Sequence, residues 1–261
     1  LYVNDAFGTA HRAHASTEGV THFLPACAGF LLAKELAVLE RLLAKPERPF
    51  VAIIGGAKVS TKLGVLNNLI GKVDVMVIGG AMAFTFIKAR GHAVGRSLVE
   101  DNQLAAAGQI LQESLDRGVK LILPCDVVLA NDLAGAKAGL ASSEMMPSEL
   151  LGVDIGPGTL EEISAALQDA RTIFWNGPMG VFENRAFAEG TLRVAQLLAA
   201  RTRAGATTVV GGGDSVAALE QAGLTAAVTH VSTGGGASLE FLEGRTLPGV
   251  AALMAPAPAR A

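Results

Sequence analysis

Lys58 and Lys62 stand four residues apart in "GGAKVSTK", directly after two glycines. If this stretch opens a helix, both ammonium groups lie on one face and point the same way. Cations at the positive end of a helix are unfavourable by themselves. The pattern therefore asks for an anionic partner, and phosphate is the natural one. Asp214, in "GGGDSVAA", has two readings of equal standing. It is an N-cap whose carboxylate bonds the Ser215–Ala217 amides, or it is a hard oxygen ligand for Mg²⁺ beside a phosphate. Glu183 follows a Gly/Pro turn in "WNGPMGVFE", as an ordinary loop carboxylate or as a partner for ribose hydroxyls. Near the start, "LYVNDAFGTAHRAHAST" places His11 and Arg12 in a stretch with little to bury. The His11/His14 pair fits surface histidines near a turn and suggests no metal.

Glycine clusters position these residues. An apolar run, a glycine pair or triplet and then a helical pattern recur four times, at Gly55-Gly56, Gly79-Gly80, Gly211-Gly213 and Gly234-Gly236. The helical patterns after them are "AKVSTKLGVLNNLIGK", "AMAFTFIKARG", "DSVAALEQAG" and "ASLEFLEG". Further strands are expected in "VKLILPCDVVLA" and "RTIFWNG", and further helices over about 102–117, 159–170 and 186–201. Leu32, Leu36, Leu39 and Leu43 give a long amphipathic helix over 30–43 that stops near Pro46 and Pro49. Residues 131–158 read as an irregular insertion, and the tail "APAPARA" as disordered. Short buried strands alternating with helices define an α/β fold, a doubly wound parallel sheet with helices on both faces. In such a sheet all strands end on one edge, so the four glycine clusters converge there. Close backbone approach and free helix N-termini make that edge a site for anionic groups.

Composition removes several alternatives. A net charge of -3 offers no basic footprint for nucleic acid. Cys27 and Cys125 form no C-x-x-C and read as reduced core thiols of a cytoplasmic protein. Mean hydropathy is +0.41. Yet the most apolar stretch, 75–87, is short of the roughly 20 residues of a membrane span and contains a glycine pair. No basic segment followed by an apolar core marks a signal peptide, so a soluble protein without membrane partners is expected. Neither G-x-x-x-x-G-K-[ST] nor a helix-opening G-x-G-x-x-G is present, which argues against a P-loop NTPase and a dinucleotide dehydrogenase.

Taken in order, "YVNDAFGTAHRAHAST", "GGAKVSTK", "GGAMAF", "WNGPMGVFE", "GGGDS" and "STGGGASLEFLEG" closely resemble the phosphoglycerate kinase family across essentially the whole chain. The resemblance implies two doubly wound lobes joined by a long helix. It also implies phosphoryl transfer between 1,3-bisphosphoglycerate and ADP, giving 3-phosphoglycerate and ATP, with Mg²⁺. Lys58 is then similar to the lysine that stabilises the transferring phosphoryl group, and Lys62 to the one that holds nucleotide phosphates. Asp214 takes the place of the Mg²⁺-linked aspartate, and Glu183 that of the ribose-binding glutamate. Gly56, Ala57, Gly80, Ala81, Gly180 and Val181 match positions lining the nucleoside pocket; Ala81 stands where glycine is frequent. Asn176, Gly212, Gly213 and Ser215 match nucleotide-phosphate positions, and Gly235 and Gly236 the phosphate-binding start of the last such helix. Arg12, with His11 beside it, resembles the arginine that meets the acceptor's phosphate and the transition state.

The same resemblance divides the chain. Residues 1–29 correspond to the end of an N-terminal substrate lobe, 30–45 to an interdomain helix and 50–245 to a nucleotide-binding lobe. Residues 246–261 correspond to a tail that returns to the first lobe. Most of that lobe would lie outside this sequence, leaving a fragment that binds nucleotide without turnover. The intact enzyme is expected to be a monomer.

Overall fold

The computed structural model describes residues 1–254; the "APAPARA" reading lies outside them. Two short parallel strands, β1 (Tyr2–Asn4) and β2 (Ala26–Ala28), precede a fifteen-residue helix, α1 (Phe30–Ala44). Its buried face carries Leu32, Leu39 and Leu42 at helical spacing, as the leucine pattern requires, while Leu36 and Leu43 are partly buried. Glu35 shares the buried face, which a charged residue in that pattern does not suggest. Its carboxylate accepts from His230 Nε2 at 2.9 Å, Thr233 N at 2.7 Å and Thr233 Oγ1 at 2.8 Å. Burial raises this carboxyl, and the donors outweigh burial, so it stays below the usual carboxylate range.

The main sheet follows. In chain order come β3 (Phe50–Ile54), α2 (Leu63–Leu69), β4 (Val75–Ile78), α3 (Met82–Ala89), α4 (Leu104–Asp116) and β5 (Lys120–Ile122). Then β6 (Asp126–Ala130), β7 (Lys137–Ser142) and β8 (Leu151–Ile155) build a separate antiparallel sheet in the order β7-β6-β8. The chain continues through α5 (Pro157–Leu167), β9 (Thr172–Asn176), α6 (Glu189–Arg203), β10 (Thr207–Gly211) and α7 (Gly213–Gln221). It ends with β11 (His230–Val231), α8 (Gly236–Leu242) and α9 (Pro248–Met254). The six strands β11-β10-β9-β3-β4-β5 are all parallel. All five residues of β3 and of β9 are buried, as expected for central strands covered on both faces. Phe50, Ala52 and Ile54 pack with α1, α2 and α3, while Val51 and Ile53 pack with α5, α6 and α7. The sheet is therefore doubly wound.

Three expectations need correction. Residues 131–158 hold two strands, β7 and β8, and are not irregular. "VKLILPCDVVLA" is two strands of different sheets, separated at the buried Pro124 turn. Cys27 and Cys125 are free but exposed, not core thiols. Cys27 lies on the exposed part of the two-stranded sheet, and Cys125 on the turn between the sheets. Among the described residues, no helix is long and apolar enough to cross a membrane. The segment Pro248–Met254 returns to the N-terminal segment, where Gly249 N donates to Ala10 O at 2.9 Å.

Candidate functional site

Parallel register aligns the strand ends. Ile54 pairs with Ile78 on one side and Asn176 on the other, and Asn176 pairs with Gly211. The four glycine clusters therefore leave the sheet along one edge, and Gly177 after β9 adds a fifth turn between them. From β3 the order runs outward through β4 and β5; from β9 it runs outward the other way through β10 and β11. The point where the winding reverses lies between β3 and β9, where open α/β sheets place their ligand crevice.

A cleft of about 220 Å³ opens there. Gly56, Ala57, Gly80, Ala81, Gly180, Val181, Glu183 and Asp214 line it. Gly80 shows why glycine stands at this edge. Its φ is +66°, and a Cβ there would lie 2.6 Å from Gly56 N and O and 2.8 Å from Pro178 O. Turns from β3, β4 and β9 thus meet with no room for side chains. The opposite wall was not foreseen. Phe84, Pro124, Val127, Gly152, Val153, Asp154 and Ile155 come from α3 and the antiparallel sheet. The signal for it was available: "LGVDIGPGTLEEI" repeats the strand, glycine, helix plan.

Asp154 is the charged group in that wall. Its carboxylate accepts from Gly190 N at 2.7 Å and Ile155 N at 2.9 Å. Burial nevertheless raises its pKa to about 7, against those two bonds and the nearby Lys137, with Glu189 adding to the rise.

The two lysines separate. The chain from Ala57 to Lys62 is a loop, and α2 begins only at Leu63, so Lys58 and Lys62 do not share a helix face. A glycine-preceded turn and the buried Val59 delay the helix. Lys58 is exposed, outside the cleft lining. Lys62 turns inward and donates to Asn176 Oδ1. Burial lowers its ammonium to about 8, with the carboxylate of Asp214 opposing the shift. Asn176 is fully buried at the end of β9, and its Nδ2 has no partner among the described residues. Gly212 lies against that nitrogen; a Cβ there would be 3.0 Å from it. Asp214 is not an N-cap. That position is Gly212, with φ +88°, and Asp214 is the second residue of α7, exposed and without a side-chain cap bond. Ser215 is buried and accepts from Gly177 N at 2.6 Å, so it reaches the cleft only through that turn.

At the far end of the edge, Gly235 and Gly236 open α8. His11 packs against Gly236, where a Cβ would lie 3.3 Å from its Nε2, and Arg12 Nε donates to that same nitrogen at 3.3 Å. Arg12 and His11 thus sit beside the last glycine turn and not in the cleft. From β4 to β11 there are four strand spacings, about 19 Å in all. The line runs from an apolar cleft, past Lys62, Asn176 and Asp214, to an exposed arginine.

This is an open, doubly wound α/β protein with its site at the switch point of the sheet. The family profile described as "Phosphoglycerate kinase" matches residues 1–245. A protein from Chlorobium chlorochromatii (strain CaD3) named "Phosphoglycerate kinase" is 58% identical over 255 residues, covering 97% of this chain and 64% of its own. One of the same name from Moorella thermoacetica (strain ATCC 39073 / JCM 9320) is 57% identical over 254 residues, with the same coverage. The structure of phosphoglycerate kinase from Coxiella burnetii superposes with a TM-score of 0.92 at 45% identity, covering 97% of this chain and 64% of that one. The one from Pyrococcus horikoshii OT3 gives 0.84 at 34%, covering 97% and 63%. The chain belongs to the phosphoglycerate kinase family, and it spans 64% of the length of these curated relatives.

Proposed function

We propose that these residues form the nucleotide side of an active site that moves a phosphoryl group between 1,3-bisphosphoglycerate and ADP, giving 3-phosphoglycerate and ATP. The observation that carries this reading is the cleft at the switch point, largely apolar and reaching Asp214, whose charge acts on the Lys62 that bonds Asn176. The nucleoside occupies the part lined by Gly56, Ala57, Gly80, Ala81, Gly180 and Val181, and Glu183 at its mouth accepts from ribose hydroxyls. Lys62, Asn176 Nδ2 and the amides at Gly212, Gly213 and Ser215 take the phosphates. An ADP oxygen attacks the acyl phosphate in line; the bond from phosphorus to the acyl oxygen breaks and a carboxylate leaves. In the reverse direction that carboxylate is already ionised, so no general base is required. Charge on the passing group spreads over three oxygens. Lys58 and the amides of Gly235 and Gly236 meet it, while Arg12, with His11, holds the acceptor's phosphate.

Among the described residues, no group of three or more His, Cys, Asp or Glu side chains is placed to hold a metal alone. A single exposed carboxylate still suits Mg²⁺, which commonly takes one or two carboxylates together with substrate phosphates. Asp214 is that residue, and the ion would neutralise phosphate charge. Turnover is proposed for the complete protein carrying these residues; for the 261 residues by themselves the reading is Mg·ADP binding. The buried Trp175, whose Nε1 donates to Gly177 O at 2.8 Å, reports on the cleft. Titration is expected to show saturable binding of Mg·ADP in preference to NAD, with a change in Trp175 fluorescence. A folded sample that binds no ADP would overturn the reading. A coupled assay with ATP and 3-phosphoglycerate tests turnover.

A further inference from the structure

We propose that Glu100 is a positioning residue that clamps the loop carrying Lys58 and Lys62 to helix α3. The inference rests on the reading of Lys58 given above. Between Ala57 and Thr61 the chain has no helical or strand hydrogen bonding. Its internal bonds are few: Thr61 Oγ1 donates to Lys58 O at 2.9 Å and Lys62 N to Val59 O at 2.8 Å. Among the described residues, Glu100 is the one side chain from another element that bonds this stretch of backbone. Ser60 N donates to its Oε2 at 3.0 Å and Ser60 Oγ to its Oε1 at 2.6 Å. Ser60 lies midway between the two lysines.

Glu100 is itself held. Its own N–H donates to Thr85 Oγ1 at 3.1 Å, and Thr85 is buried in α3. The next residue, Asp101, pairs with Lys88 of the same helix at 2.8 Å. α3 begins just after the Gly80 turn and contributes Phe84 to the cleft, so the clamp joins one wall of the cleft to the lysine loop. The chemistry calls for a carboxylate here. One oxygen takes the Ser60 amide and the other its hydroxyl, both as charge-assisted bonds. Glutamine would keep one acceptor oxygen for the Ser60 amide and would force the Ser60 hydroxyl to turn and accept from its NH₂, so both bonds would lose their charge assistance. The Glu100 carboxyl stays below the usual range because the Ser60 and Val59 donors and the charge of Lys58 outweigh burial, so it is ionised at neutral pH.

The test combines amide hydrogen exchange with kinetics in the complete protein. Glu100→Gln and Ser60→Ala, with circular dichroism confirming folded samples, are expected to speed exchange at residues 57–62 by about tenfold or more. They are also expected to lower kcat by about tenfold with KM for ADP changed less than twofold. In a Lys58→Ala background, Glu100→Gln should cost nothing more, because its effect passes through Lys58. Ser60→Thr keeps both donors and should restore exchange and kcat. Unchanged exchange at 57–62, a loss confined to KM, or an equal further loss without Lys58 would each overturn the proposal. If the unsubstituted protein turns over no 3-phosphoglycerate, the reading of Lys58 fails, and the clamp stands or falls on the exchange data.

Discussion

Proton uptake on nucleotide binding follows from the burial of Lys62. Burial lowers this ammonium from 10.5 to about 8. A bound diphosphate brings negative charge to its side and favours the protonated form, returning the pKa toward its ordinary value. Without nucleotide the lysine loses its proton as pH rises through 8; with nucleotide it keeps it up to a higher pH. Binding therefore takes up protons in the window between about 8 and 10.5. The uptake is about half a proton per ADP at pH 8 and about a tenth at pH 7. Affinity falls in step, by up to about tenfold per pH unit above 8. Isothermal titration at pH 8 in two buffers of different ionisation enthalpy measures the uptake directly as the slope of observed heat. Lys62→Met should abolish the slope and weaken binding about 10–100-fold, the value of a hydrogen bond to a charged group. Normal affinity at pH 8 with no buffer dependence would refute the argument.

On the proposed function, Lys58→Ala in the complete protein removes a donor that acts mainly in the transition state. kcat should fall about 10²–10³-fold with KM for ADP nearly constant, and an unchanged kcat in steady-state assays would exclude the role. Asp154, raised to about 7 by burial, costs stability progressively as pH rises from its unfolded value of 3.8 through 7. The cost across that span is on the order of 4 kcal/mol. Melting temperatures from pH 4 to 8 should therefore decline in the native chain relative to Asp154→Asn, and parallel curves would contradict this. Glu35→Gln can keep its oxygen toward Thr233 only by turning its NH₂ to His230 Nε2, which must then accept in the opposite tautomer. With both charge-assisted bonds lost, it should cost about 2–4 kcal/mol in urea unfolding. A loss below 1 kcal/mol would show that the network contributes little.

The main sheet was legible because its strands are buried on both faces. "FVAII" and "TIFWN" are short apolar runs with no polar alternation, each closed by a turn. The antiparallel sheet was not, because β7, "KAGLAS", is exposed along most of its length and so carries no hydrophobic period. The cleft was read from one side for the same reason. Its glycine turns have a spacing that sequence displays, while its other wall belongs to the sheet that sequence hides. The helix drawn over Lys58 and Lys62 failed on a local conflict. Four-residue spacing fits a helix, but two preceding glycines and an inward Val59 keep the backbone in a loop until Leu63. Asp154 and Glu100 escaped because a lone acid has no spacing; each takes its role from main-chain donors 36 and 40 residues away.

Remote acids also cap three of the helices. α1, α5 and α6 lack a capping side chain at their own N-cap, and distant acids supply one. Asp5 accepts from Leu32 N, Asp126 from Gly158 N and Thr159 N, and Asp154 from Gly190 N. α2, α3, α7 and α8, the helices that follow the four glycine clusters, show no side-chain cap bond at their N-caps, and neither does α4. Uncapped first-turn amides normally lower stability, by about 1 kcal/mol relative to a capped helix. The N-caps of α7 and α8 are glycines, Gly212 and Gly235, which have no side chain to cap with, while those of α2 and α3 are Lys62 and Ala81, and the first amide of α3, Met82 N, already donates to Gly56 O at 3.0 Å. On the proposed reading, the open starts of α7 and α8, with Lys62 and Asn176 Nδ2 beside them, are donors left for a nucleotide's phosphates.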